Sequence, residues 1–215
     1  MQILAIDTAS PRPAVSLLAG GALFEETLPS DRRSSEALLP AIARVLAAAK
    51  TRLEDCTRVA VCSGPGSFTG IRIGLATAWG LSRASGVPVE AVSTLECMAE
   101  AAAHFPLGPE RVAALLDAGR GELVVERFAL AAGSRARSLS PAVRVPVGEV
   151  AAAASGDPLV ELPAGLSGTP AVVPERTPAS ALALAVARAP RVPSAGPASA
   201  SYSRPSAAEE RHGSS

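Results

Sequence analysis

Lysine is nearly missing from this chain. Lys50 is the only one, and the other basic residues are arginines. Aromatics are scarce as well, at 3%, so a core must be built from Ala, Val, Leu and Ile. Net charge is zero by count, which removes any general electrostatic reason to bind nucleic acid or an acidic membrane. The cysteines, Cys56, Cys62 and Cys97, are odd in number and lack CxxC spacing. That excludes a disulfide framework and a zinc cluster, and reads as buried neutral thiols in a reducing compartment. Two histidines, His104 and His212, fall in neither HxxxH nor HExxH, so no metal site is indicated. No apolar run reaches the length of a membrane span, and "MQILAIDTAS" reaches a charge at Asp7 too soon for a signal peptide. The expectation is a soluble cytoplasmic protein with no membrane partner.

What is present is a 215-residue chain that is 48% apolar, enough for one large domain or two small ones. "QILAIDTA", "PAVSLLAG" and "ALFEETL" read as three strands, the last two joined by a Gly20-Gly21 hairpin turn. "SSEALLPAIARVLAAAK" has helical spacing, with Leu38, Ile42, Val45 and Ala49 on one face and Ser34 or Ser35 as cap. Pro40 is awkward there, so the helix is expected to start late or to bend. The strand "RVAVCSG", the helix behind "GPGSFTG", the strand "VPVEAVST" and the helix "LECMAEAAAHF" complete an order of βββαβαβα. That order predicts an α/β fold with a mixed sheet and helices on its faces. Further on, "RVAALLDAGRGELVVERFAL" repeats the opening design of strand, Asp, tight turn and antiparallel strand, which makes Asp7 and Asp117 equivalent. Helices at "VGEVAAAAS" and "PASALALAVARA" and short strands at "PLVELPAG" and "PAVV" follow. The boundaries are 1–108 for a first lobe, 109–208 for a reduced second lobe and 209–215 for a flexible tail.

Two features invite a functional reading. Asp7 and Thr8 close the first strand, where an acidic group could hold Mg²⁺ beside nucleotide phosphates; equally, Asp7 could cap its own turn. The turn residues are Thr, Ala and Ser followed by prolines, a poor phosphate loop, and Asp117 with "DAGRGE" fits better. The second feature is "CSGPGSFTGIRIGLATAWGLS", which has neither the lysine of a P-loop nor GxGxxG spacing. Gly70, Gly74 and Ala78 stack on one face of its helix, with Ile71, Leu75 and Trp79 beside them. Such a helix is buried on several sides. Either its own domain covers it, or a partner does; the apolar faces and glycines favour close docking of a partner helix. Glu96, Glu100, Glu122 and Glu126 read as solvated, and no nucleophile–base pair supports a peptidase.

Taken together, "ILAIDTAS", "SSEALLP", "GPGSFTGIRIGLATAWGL", "VSTLE", "LLDAGRGE" and "YSRP" resemble the TsaB (YeaZ) family in order and spacing, across residues 1 to about 208. The resemblance implies the two-lobed actin/Hsp70/sugar-kinase-like (ribonuclease H-like) fold. It implies a role in N6-threonylcarbamoyladenosine formation at position 37 of tRNAs reading ANN codons, as a non-catalytic scaffold that binds and stabilises a TsaD-type transferase. The partners implied are TsaD, a TsaE-type ATPase in the larger complex, a second copy of the chain when TsaD is absent, and tRNA indirectly. Carried onto this chain, the interface would comprise Leu38, Leu39, Ile42, Gly70, Ile71, Gly74, Leu75 and Ala78. Gly74→Arg or Leu75→Asp would then break association and leave the isolated fold mostly intact. No catalytic residue and no metal are implied; Asp7, Thr8 and Asp117 would form at most a vestigial site, with weak ATP or ADP and Mg²⁺ at the interlobe cleft or in the complex. Arg33-Ser34 departs from the family's His-Ser/Thr. The competing reading is a small actin-fold ATPase or phosphotransferase that uses Asp7 and Asp117.

Overall fold

Two five-stranded sheets carry the chain. The computed structural model describes residues 1–29, 34–103, 109–162, 164–168, 171 and 174–188. His104, His212, Arg33, most of "PAVV", "YSRP" and the 209–215 tail lie outside the described residues.

The opening strands β1 (Gln2–Asp7), β2 (Ala14–Ala19) and β3 (Ala22–Thr27) form an antiparallel meander. Gly20 and Gly21 both take positive φ, 58° and 83°, as a two-residue hairpin turn demands. Helix α1 (Ser34–Ala48), strand β4 (Arg58–Cys62), helix α2 (Phe68–Ser85), strand β5 (Val89–Val92) and helix α3 (Thr94–Ala102) follow. The sheet order is β3-β2-β1-β4-β5, with β4 parallel to both β1 and β5. This is the expected mixed sheet. Helix α1 runs unbroken through Pro40 rather than starting late. Proline removes one hydrogen bond, to the Glu36 carbonyl. Glu36 and Pro40 are both exposed, so water can take that bond.

The second sheet repeats the plan. Strands β6 (Arg111–Gly119) and β7 (Glu122–Ala129) form a hairpin, and β10 (Leu159–Leu162) lies parallel to β6 as β4 does to β1. Strands β8 (Arg137–Ser138) and β9 (Val143–Pro146) both pair with β7. Helix α4 (Val150–Ala154) and helix α5 (Pro178–Arg188) complete the chain. Asp7 ends β1, Asp117 stands two residues before the end of the equivalent β6, where the register with β7 shifts, and the architecture is the two-lobed actin-like one that the resemblance implies.

The helices cross between lobes. Helix α3 packs on β6, β7 and β10, and its Leu95, Met98, Ala99 and Ala102 share a core with Val112, Leu116, Phe128 and Val160. Helix α5 packs on β1, β2 and β4, where Leu182, Ala183 and Val186 join the core of the first sheet. A boundary at 108 therefore divides the sheets but not their cores. Ile6 and Val61 face α2. By strand alternation Ala5 and Ala60, paired in register, face α5 on the other side. Small residues there let an alanine-rich helix sit close.

Candidate functional site

Strand β1 ends in a turn that closes on itself. Asp7 is fully buried, and its carboxylate accepts from the Ala9 amide at 2.9 Å, from the Ser10 amide at 3.1 Å and from the Ser10 hydroxyl. Burial pushes the Asp7 carboxyl above its ordinary range, while the bonds from Ser10, Ala9 and the Cys62 thiol pull it back. The amides that would meet a phosphate point at Asp7 itself. Asp7 is the cap of its own turn. Asp117 is exposed, and its Oδ1 accepts from the Gly119 amide at 2.6 Å.

The glycine loop lies directly on this turn. The Ser67 amide donates to the Ala9 carbonyl at 2.8 Å, and the Thr8 hydroxyl donates to the Gly70 carbonyl at 2.6 Å. A Cβ at Gly66 would fall 2.1 Å from the Ala9 oxygen, and one at Gly74 would fall 2.5 Å from Thr8 Oγ1. The Ser67 hydroxyl accepts from the Gly70 amide and starts α2; Gly86, at φ 77°, ends it. The close approach that these glycines permit is therefore to the chain's own first turn, not to a partner helix.

The same holds for the side chains expected at an interface. Leu38, Ile42, Gly70, Ile71, Gly74, Leu75 and Ala78 are all buried within this chain; of the eight, Leu39 alone is exposed, at 58%. Each helix lays its apolar stripe on the first sheet, as an amphipathic helix does. A partner gains nothing from Leu38 or Ile71, whose burial already contributes about 1.5–3 kcal/mol each to this fold. Gly74→Arg and Leu75→Asp would therefore strike the core, contrary to the expectation of a mostly intact fold.

What the two helices turn outward is different. Helices α1 and α2 touch each other. Leu39, Pro40, Ala43 and Ala47 are exposed on α1, and Thr69, Ala76 and Gly80 on α2, with Ile73 and Thr77 half-buried. Charge on the two helices is confined to Glu36 and Arg44 on α1 and Arg72 and Arg83 on α2, with Glu36 in the first turn of α1 and Arg83 in the last of α2. Arg44 is held by Glu26, and Arg72 stacks over the Phe68 ring at 3.7 Å. Alanine and glycine expose little apolar area, which is why α2 reads as apolar all round and yet has an outside.

One site is absent from the sequence reading. Arg135, buried on the loop after β7, donates to Glu90 of β5 and meets Glu96 of α3 at 3.0 Å. Glu100 accepts from the Ala136 amide and pairs with Arg188 of α5. Glu96 and Glu100 are thus buried ion partners rather than solvated residues. Their spacing of four on one helix was the only signal, and it is also the spacing of a solvated face. Among the described residues no group of three His, Cys, Asp or Glu side chains is placed to hold a metal ion, and no helix is long and apolar enough to cross a membrane.

Comparison with known proteins places this geometry in a family. The family model for TsaD, tRNA N6-adenosine threonylcarbamoyltransferase, matches residues 25–172. The tRNA threonylcarbamoyladenosine biosynthesis protein TsaB of Escherichia coli is 39% identical over 123 residues, 57% of this chain and 53% of that one. The chain spans about half the length of the curated TsaB relatives it matches, the Bacillus subtilis protein included, at 32% identity and 53% of its length. An uncharacterised Mycobacterium tuberculosis protein is 32% identical over 194 residues, covering 86% of this chain and 84% of that one. Among solved structures, YeaZ from Pseudomonas aeruginosa superposes with a TM-score of 0.73 at 28% identity, over 86% of this chain and 90% of that one. A Pseudomonas aeruginosa protein described as uncharacterised, with similarity to peptidase YeaZ, gives 0.79 at 29% identity, over 94% and 99%.

Proposed function

Because the chain belongs to the TsaB (YeaZ) family, we propose that it serves N6-threonylcarbamoyladenosine formation, at position 37 of tRNAs reading ANN codons, as a non-catalytic scaffold for a TsaD-type transferase. The observation that carries the scaffold role is the charge-poor outer face of α1 and α2, centred on Leu39, Ala43, Ala76 and Gly80. Small residues there would let the helices of a partner of related fold approach closely, and burying Leu39 would add apolar stabilisation. The match of a TsaD model to this chain supports a partner built on the same plan, so that like helices meet like. In the absence of TsaD the same face would pair with a second copy. A TsaE-type ATPase and tRNA would join through the transferase. The Asp7 turn is filled by the chain's own groups, which supports placing ATP or ADP and Mg²⁺ in the assembled complex rather than on Asp7 and Thr8.

The test is co-purification with a TsaD homologue, followed by an assay for the modified adenosine with and without this chain. Modification is expected to depend on the chain. Equal modification without it would overturn the proposal. Tight ATP·Mg²⁺ binding to the chain alone, lost in Asp7→Ala, would instead favour the phosphotransferase reading.

A further inference from the structure

The two lobes meet at a pair of thiols. Cys62 ends β4, and Cys97 lies in the first turns of α3. Their sulfurs are 3.4 Å apart, and both side chains are buried. Cys97 faces the core of the first sheet, whereas its helix neighbours Leu95, Met98, Ala99 and Ala102 face the core of the second. A bond between these sulfurs would fasten the helix that carries the second core to the central strands of the first.

We propose that Cys62 and Cys97 are an oxidisable pair, and that their disulfide is a covalent lock between the lobes. With a peroxide as oxidant the chemistry balances. One thiolate attacks a peroxide oxygen, giving a sulfenic acid and releasing water (or the alcohol of an organic peroxide). The other sulfur then attacks the sulfenic sulfur, the S–S bond forms, and its hydroxide leaves as a second water with the remaining thiol proton. Two thiols are oxidised, and one peroxide is reduced by two electrons. The sulfurs need to close by only about 1.4 Å from contact to bond length.

The surroundings assign an order. Cys62 sits between Asp7 and Cys97, and burial with the neighbouring Cys97 and Asp7 pushes its thiol well up. Burial also raises Cys97, with Glu96 and Asp7 adding to it, while the hydrogen bond from Cys62 and, less, the Arg135 guanidinium draw it back. The Cys62 thiol donates to the Cys97 sulfur, so the contact favours the thiolate on Cys97, which is then the first nucleophile. Because neither sulfur is exposed, the lobes must loosen before a peroxide reaches it. Cys56, the remaining thiol, is pushed up to about 11 by burial and by Asp55 and Glu54, and donates instead to the Arg52 carbonyl.

The test uses the full chain, titrated with hydrogen peroxide at mildly alkaline pH, quenched, unfolded and labelled with maleimide. The expected product is a monomer lighter by two hydrogens, with Cys56 alone labelled and the Cys62 and Cys97 peptides joined. Its thermal midpoint should rise, amide exchange in α3 should slow, and dithiothreitol should reverse both. Cys56→Ser should give the same product, and Cys97→Ser should give none. Separate sulfinic acids at Cys62 and Cys97, or a linkage to Cys56 in the folded chain, would overturn the pairing. A disulfide that forms while the thermal midpoint stays the same or falls would overturn the lock.

Discussion

Gly70 lies so close to Thr8 that a Cβ on it would fall 1.8 Å from the Thr8 carbonyl oxygen. The atom it would meet belongs to backbone, which cannot swing aside. The same helix carries Gly80, where a Cβ would meet nothing within 4 Å. Two alanine substitutions on one helix therefore have opposite signs. Gly70→Ala should destabilise by about 1–3 kcal/mol or more, as overpacking does. Gly80→Ala should stabilise by up to about 1 kcal/mol through helix propensity. Urea unfolding of the two variants measures this directly; equal effects would show that the glycines matter only as helix breakers.

Asp7 gives a pH signature. Its carboxyl is raised above 3.8 by burial, so the folded chain takes up that proton before the unfolded chain does. Between the two values wild-type stability falls as pH rises, and above the folded value it stays lowered. Asp7→Asn keeps an oxygen for the two amides and has no charge to desolvate, and the Ser10 hydroxyl can accept from its amide. The variant should gain on the wild type as pH rises from about 4, with the gap then flattening. Denaturant midpoints across this range would show it, and a gap that does not change with pH would mean that the buried carboxylate carries no penalty.

The outer and inner faces of α2 separate binding from folding. Ala76→Arg, on the exposed side, should leave the thermal midpoint within about 1 kcal/mol of the wild type in stability terms and sharply reduce capture of a TsaD-type partner. Leu39→Asp should do the same from α1. Gly74→Arg would press a side chain into Thr8 and Val61 and should unfold the chain. Full capture by both surface variants would remove α1 and α2 from the interface.

Arg135 holds the junction between lobes. Replacing it with methionine keeps much of the volume but leaves the Glu90 and Glu96 carboxylates without that partner. Breaking a buried pair in this way costs about 3–5 kcal/mol. Arg44→Met, which removes an exposed pair with Glu26, should change stability little. Calorimetry on the two variants compares a buried cation with an exposed one; similar small losses would mean that water screens the Arg135 cluster.

Legibility followed the range of the interactions. The hairpins, the βββαβαβα element order and the helix positions were readable because Gly20-Gly21, the alternating apolar runs and the spacing of Leu38, Ile42 and Val45 act over a few residues; the short strands β8 and β9, with two and four residues, carry too little pattern to be read. The equivalence of Asp7 and Asp117 was readable as repetition. The direction in which a stripe faces was not. Gly70, Gly74 and Ala78 mark a helix face that something approaches closely, but a strand of the same lobe and a helix of a partner leave the same pattern.

The sequence by itself determined most of the elements, the two-lobed plan and, through its motifs, the family. Tertiary structure decided what those residues touch. It turned the glycine stripe inward onto Thr8, filled the Asp7 turn with its own amides, brought Cys62 to Cys97, and paired Glu96 and Glu100 with arginines from distant segments. The physical reason is that periodicity records whether a position is buried, while the identity of the covering group depends on contacts between residues far apart in the chain.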